Sequence, residues 1–506
     1  MQNVQTNICR WYAGVLTACL ILYGLSCAPG LLWQDSGLIQ YRVLNNDING
    51  FFGLALSHPL YYLIAIPLQW LAPGAFPWQV NLISAVAGAV AVANVFLFVR
   101  LWTGIPLPGL LAATALAVSH TFWRHACIAE TYSLWAAFYT TELVFLWFYF
   151  HKGKRVYLYG VALANGLAIS VHMLASIPLA IYTVWVVLAI FKRQLSMRHV
   201  GGIILGWLAG ALPYLMLIVG TTFQTGDIIG TLASAVFGDH WREDVINSHI
   251  SLVMVKENLL YMALNFPTPL LLLFVPGICK LFQERKNRAL GCLITATGLI
   301  FLIFASRYTV VDRYAFFIPF YCLVAVTIGV GVSAIVARYQ KPLVSVALIV
   351  TALLPVAVYA SLPKVLSHFD VKLETRGDVP YRDDISYFLT PWKYGYDGAN
   401  RFAQEALDGV EENTVLFADN TTVAPLVITH QLNGLYTRGI HIISANITTP
   451  NAPTLSEQGI ENLVDHYNVF VVSNKPGYCP KVILDKYNLI KTGILWKVIP
   501  RVSLNI

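Results

Sequence analysis

The chain has 506 residues, of which 57% are hydrophobic and only 12% charged. That is too apolar for a water-soluble globule of this size, so the sequence predicts a polytopic α-helical membrane protein. The formal net charge of +7 is carried by short Lys/Arg clusters between apolar segments, which argues against nucleic acid as a partner, and the eight scattered cysteines show neither disulfide-framework nor metal-type spacing.

The first apolar segment, 11–28, follows Arg10 without a small-x-small cleavage pattern and is expected to be a retained helix. Further windows of spanning length lie at 80–100, 105–119, 131–151, 155–171, 173–191, 200–220, 266–282, 289–306, 315–337 and 342–361, so about 11 transmembrane helices are expected. The stretch from His58 to Trp70 is apolar but short, with prolines at 59 and 67. It is expected to lie in the interface, inside a first outer loop at 29–79. If it spanned, Lys152 to Arg155 and Glu284 to Arg288 would face outward, against the positive-inside bias. As an interfacial helix it leaves Arg100, Lys152 to Arg155, Lys192, Arg193, Arg198, Arg285 to Arg288, Arg338 and Lys341 all cytoplasmic, together with the N-terminus.

The same reading puts Asp35, Asp47, His58, His120, Arg124, His125, Glu130, His172, the 221–264 loop and Arg307 to Arg313 on the extracytoplasmic side. That side belongs to a plasma membrane in a bacterium or to the ER in a eukaryote. Asp35 stands where the first apolar segment ends, beside Trp33. A carboxylate costs a few kcal/mol in the middle of a bilayer, so one held at its face marks a place prepared for polar chemistry beside lipid.

At Leu362-Pro363 the sequence turns polar, dividing a membrane domain (1–362) from an extracytoplasmic α/β domain (363–506). Within the latter, β-type runs at Thr414 to Ala418, His441 to Ile443 and Val469 to Val472 alternate with a helical stretch at Ala399 to Leu407 and a capping box, Thr454 with Glu457. Asp419-Asn420-Thr421-Thr422 follows a strand and precedes a helix, where ligands of α/β units bind. Asn420 and Asn446 each open a glycosylation sequon. The strips Tyr381 to Asp384 and Pro391 to Lys393 could contact an acceptor or pack this domain onto the membrane face.

Trp33-Gln34-Asp35-Ser36-Gly37, His58-Pro59, Val80-Asn81-Leu82-Ile83-Ser84, Trp123 with Glu130 and Tyr132, and Val171-His172 together resemble the membrane module of the GT-C glycosyltransferases, closest to the protein O-mannosyltransferase-like branch. The likeness covers about the first 200 residues. It departs at Leu38, where that branch usually has a Glu, and at Leu60-Tyr61, where it usually continues His-Pro-Pro-Gly. The resemblance implies transfer of a hexose, mannose being one candidate, from a polyprenyl-phosphate donor to the hydroxyl of a protein, glycan or lipid acceptor at the extracytoplasmic face of the bilayer, with inversion.

A phosphate leaves without protonation, so such a reaction needs a base for the incoming hydroxyl but no general acid. Asp35 is the expected base, Asp47 reading instead as part of a turn. Glu130 is the second carboxylate, either orienting a sugar or paired with Arg124. Arg313, with Arg307 and Arg124 behind it, is expected on the donor phosphate, snorkelling being the alternative. His58, His172 and Tyr132 complete the expected substrate contacts. No cofactor is required and no metal ligands are assigned. A divalent cation is possible but not indicated, because His120 and His125, five apart, do not share a helical face. A transporter of lipid-linked sugars is the alternative function. It should carry ionisable groups near the midplane and show repeated halves, and neither is visible in the sequence.

Overall fold

The computed structural model describes residues 2–71, 73–310, 312–369, 378–450, 452 and 457–501. The membrane part opens with α1 (Gln2–Ser26), two short helices α2 (Gln34–Leu44) and α3 (Pro59–Leu68), then α4 (Phe76–Thr103), α5 (Pro106–Ala117), α6 (His120–His125), α7 (Thr131–Lys152), α8 (Val156–Ile169), α9 (Ser176–Phe191) and α10 (Val200–Thr225). The expected outer loop at 221–264 is itself helical, forming α11 (Ile228–Phe237), α12 (Arg242–Ile246) and α13 (Leu252–Asn265). Four helices follow: α14 (Phe274–Leu281), α15 (Arg288–Arg307), α16 (Ile318–Arg338) and α17 (Pro342–His368).

Among the described residues seven helical segments are long and apolar enough to cross a membrane, and an eighth if α13 and α14, bent by 108°, form one span. The expected count of about 11 is therefore not reached on length and composition. Helices α5 and α8 have 12 and 14 residues, against roughly 20 for a straight span. Helix α7 is long but carries Glu142, fully buried and hydrogen-bonded at Oε1 by Asn165 Nδ2 at 3.1 Å. This side chain is an ionisable group inside a long apolar helix, where none was expected from the sequence. Helix α3, at ten residues, is about 15 Å long and cannot cross roughly 30 Å of hydrocarbon.

Basic residues close the last turns of α4 (Arg100), α7 (Lys152) and α16 (Arg338), and Arg288 opens α15. Glu130 stands at the N-cap position of α7, His172 directly precedes the 3-10 turn Met173–Ala175 that leads into α9, and Asp312 directly precedes the 3-10 turn Arg313–Phe317 that leads into α16. Because successive helices run back and forth, the basic residues gather at one end of the bundle and the acidic and histidine groups at the other.

The C-terminal part contains α18 (Asp384–Leu389), α19 (Gly398–Asp408), α20 (Val423–Leu432), α21 (Glu457–His466) and α22 (Lys481–Lys486). With them lie β1 (Thr414–Phe417), β2 (His441–Ile443), β3 (Asn468–Val471), β4 (Tyr487–Thr492) and β5 (Leu495–Pro500) in the order β2-β1-β3-β5-β4. The first three strands are parallel, and β5 runs antiparallel to both β3 and β4. All three expected β runs and the helix at 399–407 are present, whereas the β4–β5 hairpin was not anticipated. Strand β1 is buried along its whole length, the pattern of a central parallel strand covered on both faces. Helix α19 buries Ala399, Phe402, Ala403, Ala406 and Leu407, the spacing of one apolar helical stripe. The change at 362/363 falls inside α17, which continues to His368. Of the expected capping box, Thr454 lies outside the described residues.

Candidate active site

The segment that leads from α1 into the first turn of α2 aims Asp35, and it is held from both halves of the chain. Asn81 Nδ2, on α4, donates to Ala28 O at 2.9 Å; Gln40 Nε2 donates to Gly30 O at 3.2 Å while its Oε1 accepts from Leu32 N at 3.0 Å. From the C-terminal side, Asn400 Oδ1 accepts Leu31 N at 3.0 Å, the Tyr396 hydroxyl accepts Trp33 Nε1 at 2.6 Å, and Thr421 O accepts Gln34 N at 3.3 Å. Gln34 has φ +53°, a left-handed conformation costly for a side chain of its type, so the turn that aims Asp35 is strained and held by these neighbours. Gly37 is required for another reason. A Cβ there would meet Leu32 O at 2.2 Å and Ala424 Cβ at 3.0 Å, where α2 packs on α20.

Asp35, in the first turn of α2, opens onto a cavity of about 800 Å³. Glu130 and Asp312 line the same cavity, as do His58, Tyr132, His172 and Asn420, with Phe237, Phe304 and Phe316 among its apolar walls. Ser36 Oγ donates to Glu130 Oε1 at 3.2 Å, and Ser84 Oγ bridges the Glu130 main chain, accepting from its N at 3.1 Å and donating to its O at 3.0 Å. The expected motif residues Asn81 and Ser84 are thus braces, one for the Asp35 loop and one for Glu130. Among the described residues no ion pair joins Glu130 to Arg124.

Burial raises Asp35 above the ordinary carboxylate range. Glu130 is pushed up to about 8, first by burial and then by the negative charges of Asp35 and Asp312, against the Ser36 hydrogen bond and Arg124. Asp312 is pushed up to about 7 by burial and then by Asp35, against a backbone hydrogen bond and Arg124. At neutral pH Glu130 is mostly protonated. Its hydroxyl can then donate a hydrogen bond, and the cavity carries less negative charge than three carboxylates imply.

His58 and His172 stack with ring centroids 5.3 Å apart. Burial and Arg42 lower His58 to about 4, and burial and His58 hold His172 well below the usual imidazole range, so both rings are neutral. Their partners assign the tautomers. His58 Nδ1 lies 2.6 Å from Val171 O and must donate, which leaves its Nε2 an acceptor; His172 Nδ1 accepts Leu174 N at 3.1 Å, so its Nε2 carries the proton. The cavity wall therefore offers one imidazole acceptor and one imidazole donor. His58 also sits at φ +52°.

The arginines fall elsewhere. Arg313 turns to α13, where it pairs with Glu257 and donates to Met254 O at 3.3 Å; Arg307 donates to the carbonyls of Val245 and Asn247. Neither lines the cavity. Arg313 and Arg307, expected on the donor phosphate, thus lie outside the cavity lining, whereas the adjacent Asp312 lies in it. Arg124 is buried behind the carboxylates, donating to the Tyr314 hydroxyl at 2.6 Å. Arg42, unanticipated, does line the cavity, but it is bonded to the carbonyls of Ile48, Leu56 and Ser57, paired with Asp47 at 3.4 Å, and lies over the Tyr62 ring. Sequence reasoning also missed Asp312 and Asn81's bracing role. The signal for Asp312 was present, since an acidic residue directly precedes an outer helix start.

His120 and His125 are spent on carbonyls, His120 Nε2 at 2.8 Å from Phe388 O and His125 Nδ1 at 2.7 Å from Thr121 O. The 391–393 strip packs the two parts of the chain together. Lys393 is buried with its N donating to Ser26 O at 2.7 Å, and Trp392 meets Trp123 with ring centroids 5.2 Å apart.

Residues 56–197 match the family model of the protein O-mannosyl-transferase TMEM260 N-terminal domain. Protein O-mannosyl-transferase TMEM260 of Mus musculus is 24% identical over 325 residues, covering 57% of this chain and 45% of that protein. The chain thus spans less than half the length of this curated relative. The crystal structure of apo ArnT from Cupriavidus metallidurans superposes with a TM-score of 0.60 at 14% identity, over 96% of this chain and 97% of that one. The same protein bound to undecaprenyl phosphate gives 0.57 at 12% identity, over 97% and 98%. The fold is that of the GT-C glycosyltransferases, in an integral multi-pass membrane protein with a small C-terminal sheet.

Proposed function

We propose that this chain is a membrane glycosyltransferase that moves a hexose from a polyprenyl-phosphate donor to an acceptor hydroxyl at the extracytoplasmic face. The observation that carries the reading is the joint lining of one cavity by Asp35, Glu130, His58 and His172, from four separate segments of a GT-C fold. A donor of this kind accords with the undecaprenyl phosphate bound by ArnT. Mannose is the first hexose to test, given the name of the curated relative.

In this reading Asp35 takes the proton of the acceptor hydroxyl as its oxygen attacks the anomeric carbon. The bond from that carbon to the phosphate oxygen breaks on the opposite side, inverting the centre, and polyprenyl phosphate leaves unprotonated. The raised pKa of Asp35 makes it a stronger base than an ordinary carboxylate, a role worth on the order of 10²- to 10⁴-fold in rate. Glu130, protonated at pH 7, and His172 Nε2–H are hydrogen-bond donors for the sugar or the phosphate, and His58 Nε2 accepts from a sugar hydroxyl. Arg124 acts from behind the wall through its field, offsetting part of the carboxylate charge an anionic donor meets.

Purified protein in lipid, given labelled polyprenyl-phosphate hexoses and hydroxyl acceptors, should transfer sugar, and Asp35→Asn should not. Equal transfer by Asp35→Asn would refute the mechanism. Sidedness is tested with Tyr394→Cys, an exposed position in the C-terminal part. An impermeant thiol reagent should label it in intact cells, and labelling only after membrane opening reverses the assignment.

A further inference from the structure

A second cavity, of about 300 Å³, lies between α2 and the C-terminal sheet domain, lined by Tyr41, Asn45, Gln431, Tyr436, Thr448 and Thr449 among others. We propose that it is a subsite for a neutral oligosaccharide, and that the acceptor is a glycan whose reactive end reaches Asp35. This rests on the transferase reading above.

The lining carries no charged side chain. Its polar groups are hydroxyls and carboxamides, each able to both donate and accept, which matches sugar hydroxyls and gives a phosphate or a carboxylate no cation to pair with. The two tyrosine rings add flat apolar faces of the kind that pack against a pyranose. Among the described residues the side chain of Gln431 and the hydroxyls of Tyr41 and Tyr436 make no hydrogen bond, so their capacity is open to a ligand. The volume is at the lower end of ligand pockets, roughly 300 to 1,000 Å³.

Position links this cavity to the first. Asp35, Leu38, Ile39 and Arg42 of α2 line the large cavity, and Tyr41 of the same helix, with Asn45 at its C-cap, lines the small one. Along the helix axis Tyr41 lies about 9 Å and Asn45 about 15 Å beyond Asp35, a reach that suits a short oligosaccharide. Asn420, in the wall of the large cavity, accepts a hydrogen bond from Asn446 Nδ2 at 3.0 Å, and the Asn446 loop runs on to Thr448 and Thr449 in the small one.

An extended peptide fits this place less well. Peptides gain most of their affinity beside a sheet by pairing with a free edge. Here the edge strand β2 is already paired with the returning loop: Thr449 N donates to Ile442 O at 3.0 Å, and Ile443 bridges Thr448.

The test is saturation-transfer NMR on the full chain in nanodiscs, using neutral manno-, gluco- and N-acetylglucosamine di- to tetrasaccharides, with serine- and threonine-containing peptides as the contrasting arm. Oligosaccharide from at least one series should bind. Binding should weaken about tenfold in Gln431→Ala with Tyr436→Ala, and less in Tyr436→Phe, which keeps the ring. Both altered positions are solvent-accessible, and thermal unfolding should match wild type. Absence of oligosaccharide binding, binding unaltered in the double variant, or binding of peptides alone would overturn the proposal. Donor consumption by the wild-type preparation is measured in parallel. If donor is consumed in an Asp35-dependent way without oligosaccharide binding, only the glycan subsite fails, whereas no donor consumption at all refutes the transferase reading.

Discussion

Two walls of the large cavity contrast. On the N-terminal wall, the residues of the Asp35 loop and the Glu130 turn either face the cavity or brace one that does, through Asn81, Ser84, Ser36 and Gln40. On the wall that holds Tyr308, Thr309, Val310, Asp312 and Phe316, the arginines that stand out in the sequence, Arg307 and Arg313, turn to α12 and α13 while Asp312 turns in. The difference teaches that a group supported by several hydrogen-bonding neighbours keeps its place, whereas orientation on an isolated turn is decided by whichever partner lies across it.

The largest effect expected from breaking the N-terminal wall is that of Asp35→Asn, a loss of about 10²- to 10⁴-fold in kcat with the fold retained; single-turnover transfer measures it. Next comes the pH profile. Asp35 must be ionised, so kcat/KM should rise with pH through an apparent pKa above the ordinary carboxylate range. Glu130 must be protonated, so the rate should fall as pH rises through about 8. Because the three carboxylates interact, the two limbs belong to the group as a whole. Glu130→Gln cannot ionise and should abolish the alkaline descent. A descent that persists unchanged in this variant assigns it to another group.

A smaller effect is expected at Gly37. Alanine there drives a methyl into Leu32 O and the α2–α20 contact, costing about 1–3 kcal/mol, which should appear as a lower unfolding midpoint together with reduced transfer. The smallest belongs to the opposite wall. Glu257 is 45% exposed at its side chain, so solvent screens the pair, and Arg313→Met should cost about 1 kcal/mol. Its donor KM should stay at the wild-type value; a large rise would restore Arg313 to the phosphate site and erase the contrast.

The candidate site was legible in part. Asp35, Glu130, His58, Tyr132 and His172, singled out from local context and motif order, line one cavity. Arg124 lies behind the wall, while Arg42 sits in no pattern that distinguishes it from an anchoring residue, and Asp312, although it directly precedes a helix start, stands beside the more conspicuous Arg313. Glu142 went unnoticed because one carboxylate hardly disturbs the hydropathy of a long helix. In the fold, the shortness of α5 and α8 was hidden by apolar windows that run on into the following loops.

By itself the sequence determined that this is a many-helix membrane protein with a C-terminal α/β part, and that the apolar stretch after His58 is too short to span. Those properties follow from composition, segment length and charge along the chain, which are local quantities. Only the tertiary structure decided which cations reach the cavity, that Asp312 joins Asp35 and Glu130, and that the C-terminal domain holds the Asp35 loop through Asn400, Tyr396 and Thr421. Each of these depends on a partner tens or hundreds of residues away, and a side chain's direction is settled by that partner rather than by its neighbours in the chain.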